Sequence, residues 1–151
     1  MNKITIAELL PHQAPMLLLD RLLDYQGARV RCETRVGVQH ALLLDEQGNL
    51  PAWVGIELMA QTIAAWAGMR GRERDEPVRI GMLLGSRQYH SQVSAFAAGQ
   101  RLIIEAECLL EDGGMASFEC RILSGDRPCA EARLSTYLPS EGELATLLDT
   151  A

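Results

Sequence analysis

Apolar and polar residues alternate with a period of two in several stretches of this chain, which is the pattern of half-buried β-strands. Residues 28–36 (ARVRCETRV) place Val30, Cys32, Thr34 and Val36 between polar, mostly charged, neighbours. Because alternate side chains of a strand point to opposite faces, we predict that these four lie on the buried face.

From residue 78 onward the pattern is that of strands throughout. The first of them, residues 78–91, is interrupted at Gly85. Residues 101–111 and 115–124 flank the tripeptide Asp-Gly-Gly, which predicts a hairpin. The side chains predicted to face inward in these two strands are Leu102, Ile104, Ala106, Cys108, Leu110, Ala116, Phe118, Cys120 and Ile122.

Helical patterns are confined to the first half of the chain. Thr5 and Glu8 have the spacing of a capping box and predict a short helix that Pro11 ends. Residues 50–68 (LPAWVGIELMAQTIAAWAG) are apolar on nearly every side, so we expect a long helix that is surrounded by protein. We predict that Pro51 lies in its first turn, where the missing N–H has no cost.

The predicted order is a short helix, one or two strands, a loop at residues 37–49, the long helix and a run of antiparallel strands. Gly68 and Gly71 are predicted to end the long helix. One sheet and one wholly apolar helix bury their surfaces when the sheet curls around the helix, giving an α+β fold. A length of 151 residues fits a single domain, residues 1–151. A sheet that curls around a helix still has an exposed edge strand, and such an edge can pair with a second subunit. The pattern therefore favours a dimer.

Composition narrows the class of partner. A net charge of −6 and an aromatic content of 5% argue against a nucleic-acid partner.

The first residues lack the apolar stretch and cleavage site of a secretion signal. The apolar helix has about the length of a membrane span, but its polar residues favour burial in protein. The cysteines show no zinc-ligand spacing, so we predict reduced thiols and a cytoplasmic location.

The long helix contains a single charged residue, Glu57, and one amide, Gln61. Burying an unpaired carboxylate is costly, so Glu57 needs either an arginine partner, for example at a dimer interface, or a chemical role. In an apolar setting we expect the pKa of Glu57 to be raised, so that it can donate a proton near neutral pH. Gln61 lies one turn later and is expected to hydrogen-bond it. The small residues of this face, which leave room for a strand or an acyl chain, are Ala60, Ala64, Ala65 and Gly68.

Three segments resemble the 3-hydroxyacyl-acyl-carrier-protein dehydratases of fatty-acid synthesis. They are LPHQAPMLLLDRLLDY (10–25), GIELMAQTIAA (55–65) and AFAAGQRLIIEAE (95–107), and they occur in the order of that family. The segment LPAWVGIELMAQ (50–61) is most similar to a divergent dehydratase-like group of aryl-polyene pigment pathways. The resemblance implies the hot-dog fold, in which an antiparallel sheet wraps a long central helix.

The resemblance also implies a chemistry. In that family a helix glutamate, matched here by Glu57, and a loop histidine meet across a dimer interface and eliminate water from a 3-hydroxyacyl thioester, with no metal or organic cofactor. The histidine removes the proton next to the thioester, and the glutamate helps the hydroxyl to leave. Backbone N–H groups at the helix N-terminus polarise the thioester carbonyl. The predicted substrate-binding residues are therefore Trp53, Val54, Gly55 and Gln61.

The loop histidine is where this chain departs from the family. The family carries it fourteen residues before the glutamate, at a position that Leu43 occupies here. His40, three residues earlier, is the predicted catalytic replacement, unless it is an ordinary exposed loop residue. His12 matches a histidine to which the family resemblance gives a structural role. His90 is expected at a sheet edge.

Three functions stay open at this stage. A dehydratase is favoured, either active or as a degenerate subunit that completes a heterodimer. The alternative is an acyl-thioester hydrolase, because many hot-dog proteins use a helix carboxylate to activate water or to attack the thioester. The third is a module that only holds acyl chains. In each case the resemblance implies a thioester on the phosphopantetheine arm of an acyl carrier protein or of coenzyme A.

An arginine cluster follows the long helix and consists of Arg70, Arg72, Arg74 and Arg79. Carrier proteins are strongly acidic, so these arginines are candidate docking residues despite the net negative charge of the chain. The alternative is a solvated helix end at which arginine complements the helix dipole.

Overall fold

The computed structural model describes residues 4–12, 14–76, 81–139, 142–143 and 146. The helices and strands with defined bounds are α1 (Ile6–Leu9), β1 (Arg21–Gln26), β2 (Arg29–Arg35), β3 (Leu50–Pro51), α2 (Val54–Glu73), β4 (Met82–Ser91), β5 (Ala95–Phe96), β6 (Arg101–Asp112), β7 (Met115–Ser124) and β8 (Arg127–Tyr137). The start of the strand predicted at residue 78 lies outside the described residues, as does Arg79.

Six strands form one antiparallel sheet in the order β1-β2-β6-β7-β8-β4, while β3 pairs with β5 in a separate ribbon. Helix α2 contacts every strand of the six-stranded sheet. Its buried side chains, among them Leu58, Met59 and Trp66, join the inward-facing residues of the strands in one core. The four residues predicted to face inward between 28 and 36 are all buried. The predicted α+β architecture, one helix enclosed by one sheet, is confirmed.

Strands β6 and β7 form the predicted hairpin. Gly113 and Gly114 have φ angles of 58° and 87°, a left-handed conformation that glycine adopts at little cost. One inward-facing prediction in β6 was wrong, because Leu110 is 67% exposed. The pairing register shifts between Cys108 and Leu110, and such a bulge redirects the residues that follow it.

The outward face of the sheet carries charged residues in register. One row crosses five strands through Asp24, Arg31, Glu105, Arg121 and Glu131, which are successive cross-strand partners of alternating sign. Arg31 Nη2 lies 2.5 Å from Asp24 Oδ2, and Arg121 Nη2 lies 2.6 Å from Glu105 Oε1. Such solvated pairs contribute only about 0–1 kcal/mol each, and together they favour this alignment of the strands.

The long helix begins and ends later than predicted. It runs from Val54 to Glu73, so Pro51 lies in β3 rather than in the first helical turn. Gly68 and Gly71 lie inside the helix instead of ending it. Gly68 is required by packing, because a Cβ at this position would clash with the backbone carbonyl of Leu9. Glycine therefore allows the end of α1 to contact α2 closely.

Two local predictions in the first third of the chain change in the structure. Helix α1 forms, but its capping box does not, because the Thr5 hydroxyl donates to the Glu8 carboxylate over 2.9 Å and bonds no backbone N–H. The segment at residues 37–49 is not a plain loop, since Val38–His40 form a turn of 3-10 helix.

All four cysteines are free thiols, and three of them are buried. Burial raises the pKa of Cys32 and that of Cys120 to about 12, so both are unreactive thiols of the core. Among the described residues, no helix combines the length and the hydropathy that crossing a bilayer demands.

Candidate active site

Glu57 lies in the first turn of α2, and its side chain is 39% exposed. Two groups contact its carboxylate. Nε2 of Gln61 donates to Oε1 over 3.1 Å, as expected for side chains one turn apart. Nε2 of His12 lies 3.5 Å from the same oxygen. Within the described part of this chain, the side chain that faces Glu57 in this way is therefore a histidine and not an arginine.

The orientation of the Gln61 amide is fixed by the backbone. Gln61 is fully buried; its Oε1 accepts from the N–H of Leu18 over 2.9 Å, and its Nε2 donates to the carbonyl of Met16 over 2.7 Å. Because an N–H only donates and a carbonyl only accepts, a rotated amide would lose both bonds. The remaining N–H of Gln61 is thus directed at Glu57, where it stabilises the charged carboxylate.

The pKa of Glu57 is lowered from its ordinary value, so the prediction of a raised pKa was wrong. The hydrogen bond from His12 is the largest cause, the Gln61 amide and the His12 charge act in the same direction, and burial opposes them. The prediction based the pKa on burial alone: it included the Gln61 hydrogen bond but not the effect of that bond on the pKa, and it missed His12. At neutral pH Glu57 is a carboxylate, and the resting side chain is a proton acceptor.

An apolar cavity of about 260 Å³ lies between α2 and the ends of β7 and β8. Glu57 and His12 line it together. At about 30 Å³ for a group of the size of a water molecule, the cavity has room for roughly nine such groups. A larger depression of about 690 Å³ lies over the charged outer face of the sheet, but it contains none of the predicted site residues.

The small residues predicted beside Glu57 divide between two surfaces. Ala60 and Ala64 line the cavity, and Ala67 continues the same helical face. Ala65 is buried in the core, and Gly68 packs against α1. The narrow face that was predicted to admit a strand or an acyl chain therefore borders a cavity.

His40 is 1% exposed, so the reading of an exposed loop residue was wrong. Its Nδ1 accepts from the N–H of Gly37 over 3.2 Å, and its Nε2 lies 2.9 Å from the carbonyl oxygen of Leu18. A ring that accepts at Nδ1 and donates at Nε2 is a neutral imidazole with both nitrogens engaged. No contact among the described residues joins His40 to Glu57. The catalytic role of His40 stays a prediction, and its contacts are structural.

The three residues predicted to bind substrate at the start of α2 do not line the cavity. Trp53 is 62% exposed, whereas Val54 is buried in the core. Gly55 lies under Tyr89, whose hydroxyl would clash with a Cβ there, and the N–H of Gly55 is bonded to the carbonyl of Ala52 over 2.9 Å. Substrate contact by these residues stays a prediction.

The described arginines that follow the apolar part of α2 differ in their partners. Arg70 pairs with Glu111 and lies 4.9 Å from the centre of the Trp66 ring. Arg72 lies 3.5 Å from the carboxylate of Glu8. Of these three arginines, Arg74 is the one that forms no ion pair within the described residues. Docking of an acidic carrier protein by the cluster stays a prediction.

Comparison with known proteins identifies the family of the chain. A family model described as ApeP-like, ApeP dehydratase, matches residues 4–149. The chain belongs to the ApeP-like dehydratase family. The predicted resemblance to the aryl-polyene group of dehydratases is thereby confirmed. The 3-hydroxyacyl-[acyl-carrier-protein] dehydratase FabZ of Vibrio parahaemolyticus is 31% identical to this ApeP-like chain over 124 residues, which are 78% of the chain and 80% of that relative.

Solved structures place the ApeP-like chain among hot-dog proteins. A chain of the dehydratase heterocomplex ApeI:P from Xenorhabdus doucetiae superposes with a TM-score of 0.91 at 37% identity, covering 97% of this chain and 99% of that one. A hypothetical thioesterase protein with coenzyme A from Streptococcus pneumoniae has a TM-score of 0.58 at 16% identity, covering 80% and 88%. The second likeness shows the shared fold alone.

Sequence reasoning missed the contact between His12 and Glu57. The two residues are far apart in the chain, and His12 was assigned a structural role. A signal was present, because His12 precedes the apolar run at residues 17–19, which packs on the core together with α2. A chain segment that packs there brings the residues before it to the same face of the helix.

Proposed function

We propose that this ApeP-like chain acts in the dehydration of 3-hydroxyacyl thioesters carried by an acyl carrier protein, with Glu57 as its functional carboxylate. The observation that carries the proposal is the place of Glu57, an ionised carboxylate with two donors beside an apolar cavity. The reaction removes water and leaves a trans-2-enoyl thioester. Membership of the ApeP-like family and the FabZ relatives support this reaction class.

The cavity suits the acyl chain of such a substrate. Its helical wall is formed by Ala60, Ala64 and Ala67, whose methyl groups leave a channel next to Phe118. An acyl chain in this channel buries apolar surface, while carbons 2 and 3 of the substrate remain near Glu57. The thioester and its phosphopantetheine arm then extend toward solvent at the exposed side of Glu57.

A second hot-dog subunit completes this arrangement. The ApeI:P heterocomplex of Xenorhabdus doucetiae supports such a partner. Strand β4 is an edge of the sheet, and its residues Leu83 and Leu84 are 42% and 52% exposed. Since Leu83 also lines the cavity, a partner that covers β4 would close the cavity on that side. The free cysteines fit the cytoplasm as the compartment of this assembly.

The test is a mass-spectrometric assay of the protein, purified with any subunit that accompanies it, on a 3-hydroxyacyl carrier protein. We expect the wild type to remove one water and Glu57→Gln to slow this step about 10²–10⁴-fold, the usual contribution of a positioned acid or base. Glu46→Gln, at an exposed loop residue, is the matched control and should keep the wild-type rate.

The same spectra separate the alternative functions. Loss of the whole acyl group would show an acyl-thioester hydrolase instead, using the Glu57 carboxylate to activate water. An unchanged carrier protein with the complete assembly would overturn the proposed dehydration. Equal rates for the wild type and Glu57→Gln would remove Glu57 from the chemistry.

A further inference from the structure

The side chain of Tyr89, on edge strand β4, contacts the start of helix α2. Its hydroxyl donates to the backbone carbonyl of Ala52 over 2.5 Å. The same carbonyl accepts from the N–H of Gly55 over 2.9 Å, and the N–H of Ala52 donates to the carbonyl of Ser94 over 3.0 Å. Ala52 is therefore joined by hydrogen bonds to β4, to α2 and to the segment before β5.

The Tyr89 hydroxyl also lies against Gly55 in the first turn of α2. A Cβ at Gly55 would overlap with this hydroxyl oxygen, whereas the next atoms, Cδ1 of Ile122 and Cζ of Tyr89, would lie 3.0 and 3.2 Å away. The hydroxyl is thus the atom that excludes a side chain at this position. Glycine allows the first turn of the helix to approach Tyr89 closely.

A bulge in β4 precedes this contact. Strand β4 is an edge of the sheet, and His90 lies exposed on it, as predicted. Between the pairings of Arg87 and His90 with β8, β4 has two residues where β8 has one. The first, Gln88, has a φ angle of 59°, a conformation that costs free energy in a residue with a Cβ. The second, Tyr89, packs on the core. Bulges beside functional sites re-aim side chains in this way.

We propose that Tyr89 is a positioning residue of the site, which sets the start of α2 and thereby the place of the Glu57 carboxylate. Glu57 lies in the same first turn, two residues after Gly55. As far as the structure describes the lining of the cavity, Tyr89 is not part of it, so its effect reaches the substrate through Glu57. A displacement of a catalytic group by about 1 Å can cost about 10²-fold in rate. This inference rests on the proposed dehydratase function.

Each end of α2 is bonded to a tyrosine, which provides a matched control. The hydroxyl of Tyr25, in β1, donates to the carboxylate of Glu73, the last residue of the helix. Tyr25→Phe and Tyr89→Phe each remove one hydroxyl that bonds at an end of the same helix. Of these two bonds, the one from Tyr89 lies at the end that carries Glu57.

The experiment measures both variants with a 3-hydroxyacyl carrier protein, in the assembly purified through a tag on this chain. We expect Tyr89→Phe to lower kcat about 10-fold with little change in KM, because the carboxylate moves while the channel wall stays in place. The acidic limb of the pH profile should not shift, since the described partners of Glu57 do not include Tyr89. Tyr25→Phe should keep the wild-type kcat.

Gly55→Ala tests the same contact from the helix. The added methyl group has to displace the Tyr89 hydroxyl or the first turn of α2, so we expect kcat to fall about 10²-fold. The double variant Gly55→Ala/Tyr89→Phe lacks the overlapping oxygen, and it should be faster than Gly55→Ala alone. Loss of a substrate contact at Gly55 would not be rescued by a change at Tyr89.

Each rate is taken at a temperature at which circular dichroism shows the variant to be folded. If Gly55→Ala alone does not fold, the double variant is compared with Tyr89→Phe, and their kcat values should be alike. A further loss of about 10-fold or more in the double variant would then contradict the inference.

The outcomes for this inference and for the proposed function are distinct. A wild-type kcat in Tyr89→Phe, or a double variant no faster than Gly55→Ala, would overturn the positioning role while the proposed function stands. Loss of the alkaline limb of the pH profile in Tyr89→Phe would show a proton donor instead and would also overturn it. If the wild-type assembly forms no enoyl product, the proposed function itself is wrong, and the inference falls with it.

Discussion

The side-chain NH₂ of Gln61 donates to Oε1 of Glu57 over 3.1 Å, one helical turn away. The donor group faces Glu57 because backbone atoms hold the rest of the amide. The buried Gln61 side chain thus holds the N-terminal segment against α2 and also stabilises the charge of the Glu57 carboxylate. This double role allows the two functions to be separated by substitution.

Gln61→Leu removes both of these bonds and leaves the buried N–H of Leu18 and the part-buried carbonyl of Met16 without their Gln61 partner. An orphaned buried group costs about 1–3 kcal/mol, and the part-buried carbonyl adds about 1 kcal/mol, so we expect the free energy of unfolding to fall by about 2–4 kcal/mol. The control Thr62→Val loses a hydroxyl bond to the Leu58 carbonyl in its own helix and a bond to the Cys32 thiol, leaves no backbone N–H without a partner, and should cost less than about 1.5 kcal/mol. Urea unfolding of both variants measures the difference, and equal losses would contradict the fastening role.

The same substitution tests the charge of Glu57 through the pH dependence of the rate. The Gln61 bond lowers the pKa of Glu57, so its removal should raise that pKa. The carboxylate is then lost at a higher pH as the solution is acidified, and the acidic limb of the rate profile should move upward in Gln61→Leu. A limb that stays in place would show that another group controls it.

Ala64→Leu should shorten the cavity while leaving the Glu57 carboxylate in place. Ala64 lines the middle of the helical wall, and a leucine there fills space that an acyl chain occupies in the proposed complex. We expect kcat/KM for a long acyl substrate to fall at least about 10-fold, or 1.4 kcal/mol, while that for a short substrate changes little. The short substrate is the internal control, and equal losses for both lengths would contradict an acyl channel.

Arg74→Glu should weaken docking of an acidic carrier protein, because Arg74 has no ion pair within the described residues. We expect a several-fold rise in KM for the carrier-bound substrate that diminishes as salt is added. KM for the same acyl group on free pantetheine should not change. Arg127→Glu makes the same charge change at the exposed β7–β8 turn and controls for the net charge. Similar effects of both substitutions would argue against a specific docking surface.

We predict that the ion pairs of Glu33 stabilise the fold at neutral pH and that this stabilisation is lost in acid. It is 9% exposed and accepts from Nε of Arg101 over 2.5 Å and from Nε of Arg21 over 2.6 Å. The Arg101 bond is the largest cause of its lowered pKa. Because the folded pKa lies below the unfolded one, the stabilisation is present above the unfolded pKa and is lost as pH falls through the folded pKa.

Glu33→Gln should therefore lower the free energy of unfolding at pH 7 by about 1–2 kcal/mol. The difference from wild type should vanish as the pH falls well below about 4. Thermal unfolding across this range measures it, with Glu119→Gln on the exposed face of β7 as the control. A difference that stays constant with pH would show that lost packing, not charge, is responsible.

The sequence predicted the strands best where burial alternates strictly, as between Val30 and Val36, since a period of two has few other structural solutions. It failed at Leu110, because a bulge depends on the pairing partner and leaves no local pattern. The helix limits were wrong because Gly68 stays helical for the sake of a contact with α1. These errors share a cause, which is tertiary contact overriding local preference.

The candidate site, like the fold, could be predicted from the sequence only in part. The importance of Glu57 could be predicted, because one charge in an apolar helix is unusual in any fold. The direction in which the pKa of Glu57 shifts could not be predicted. It depends on a donor from His12, in a distant segment, and on the exact rotation of the Gln61 amide. Burial is visible in a sequence pattern, whereas hydrogen-bond donors are visible only in the folded chain.

The charged outer face of the sheet has a consequence for how the strands align during folding. In the native pairing Glu119 faces Arg133, and Arg121 faces Glu131. A slip by two residues keeps every inward side chain inward, so the apolar face does not resist it. Such a slip sets Arg121 opposite Arg133 in one direction and Glu119 opposite Glu131 in the other, and both native attractions are lost. Solvent-facing charge therefore discriminates against misaligned hairpins that the core would accept, which makes the surface a source of folding fidelity.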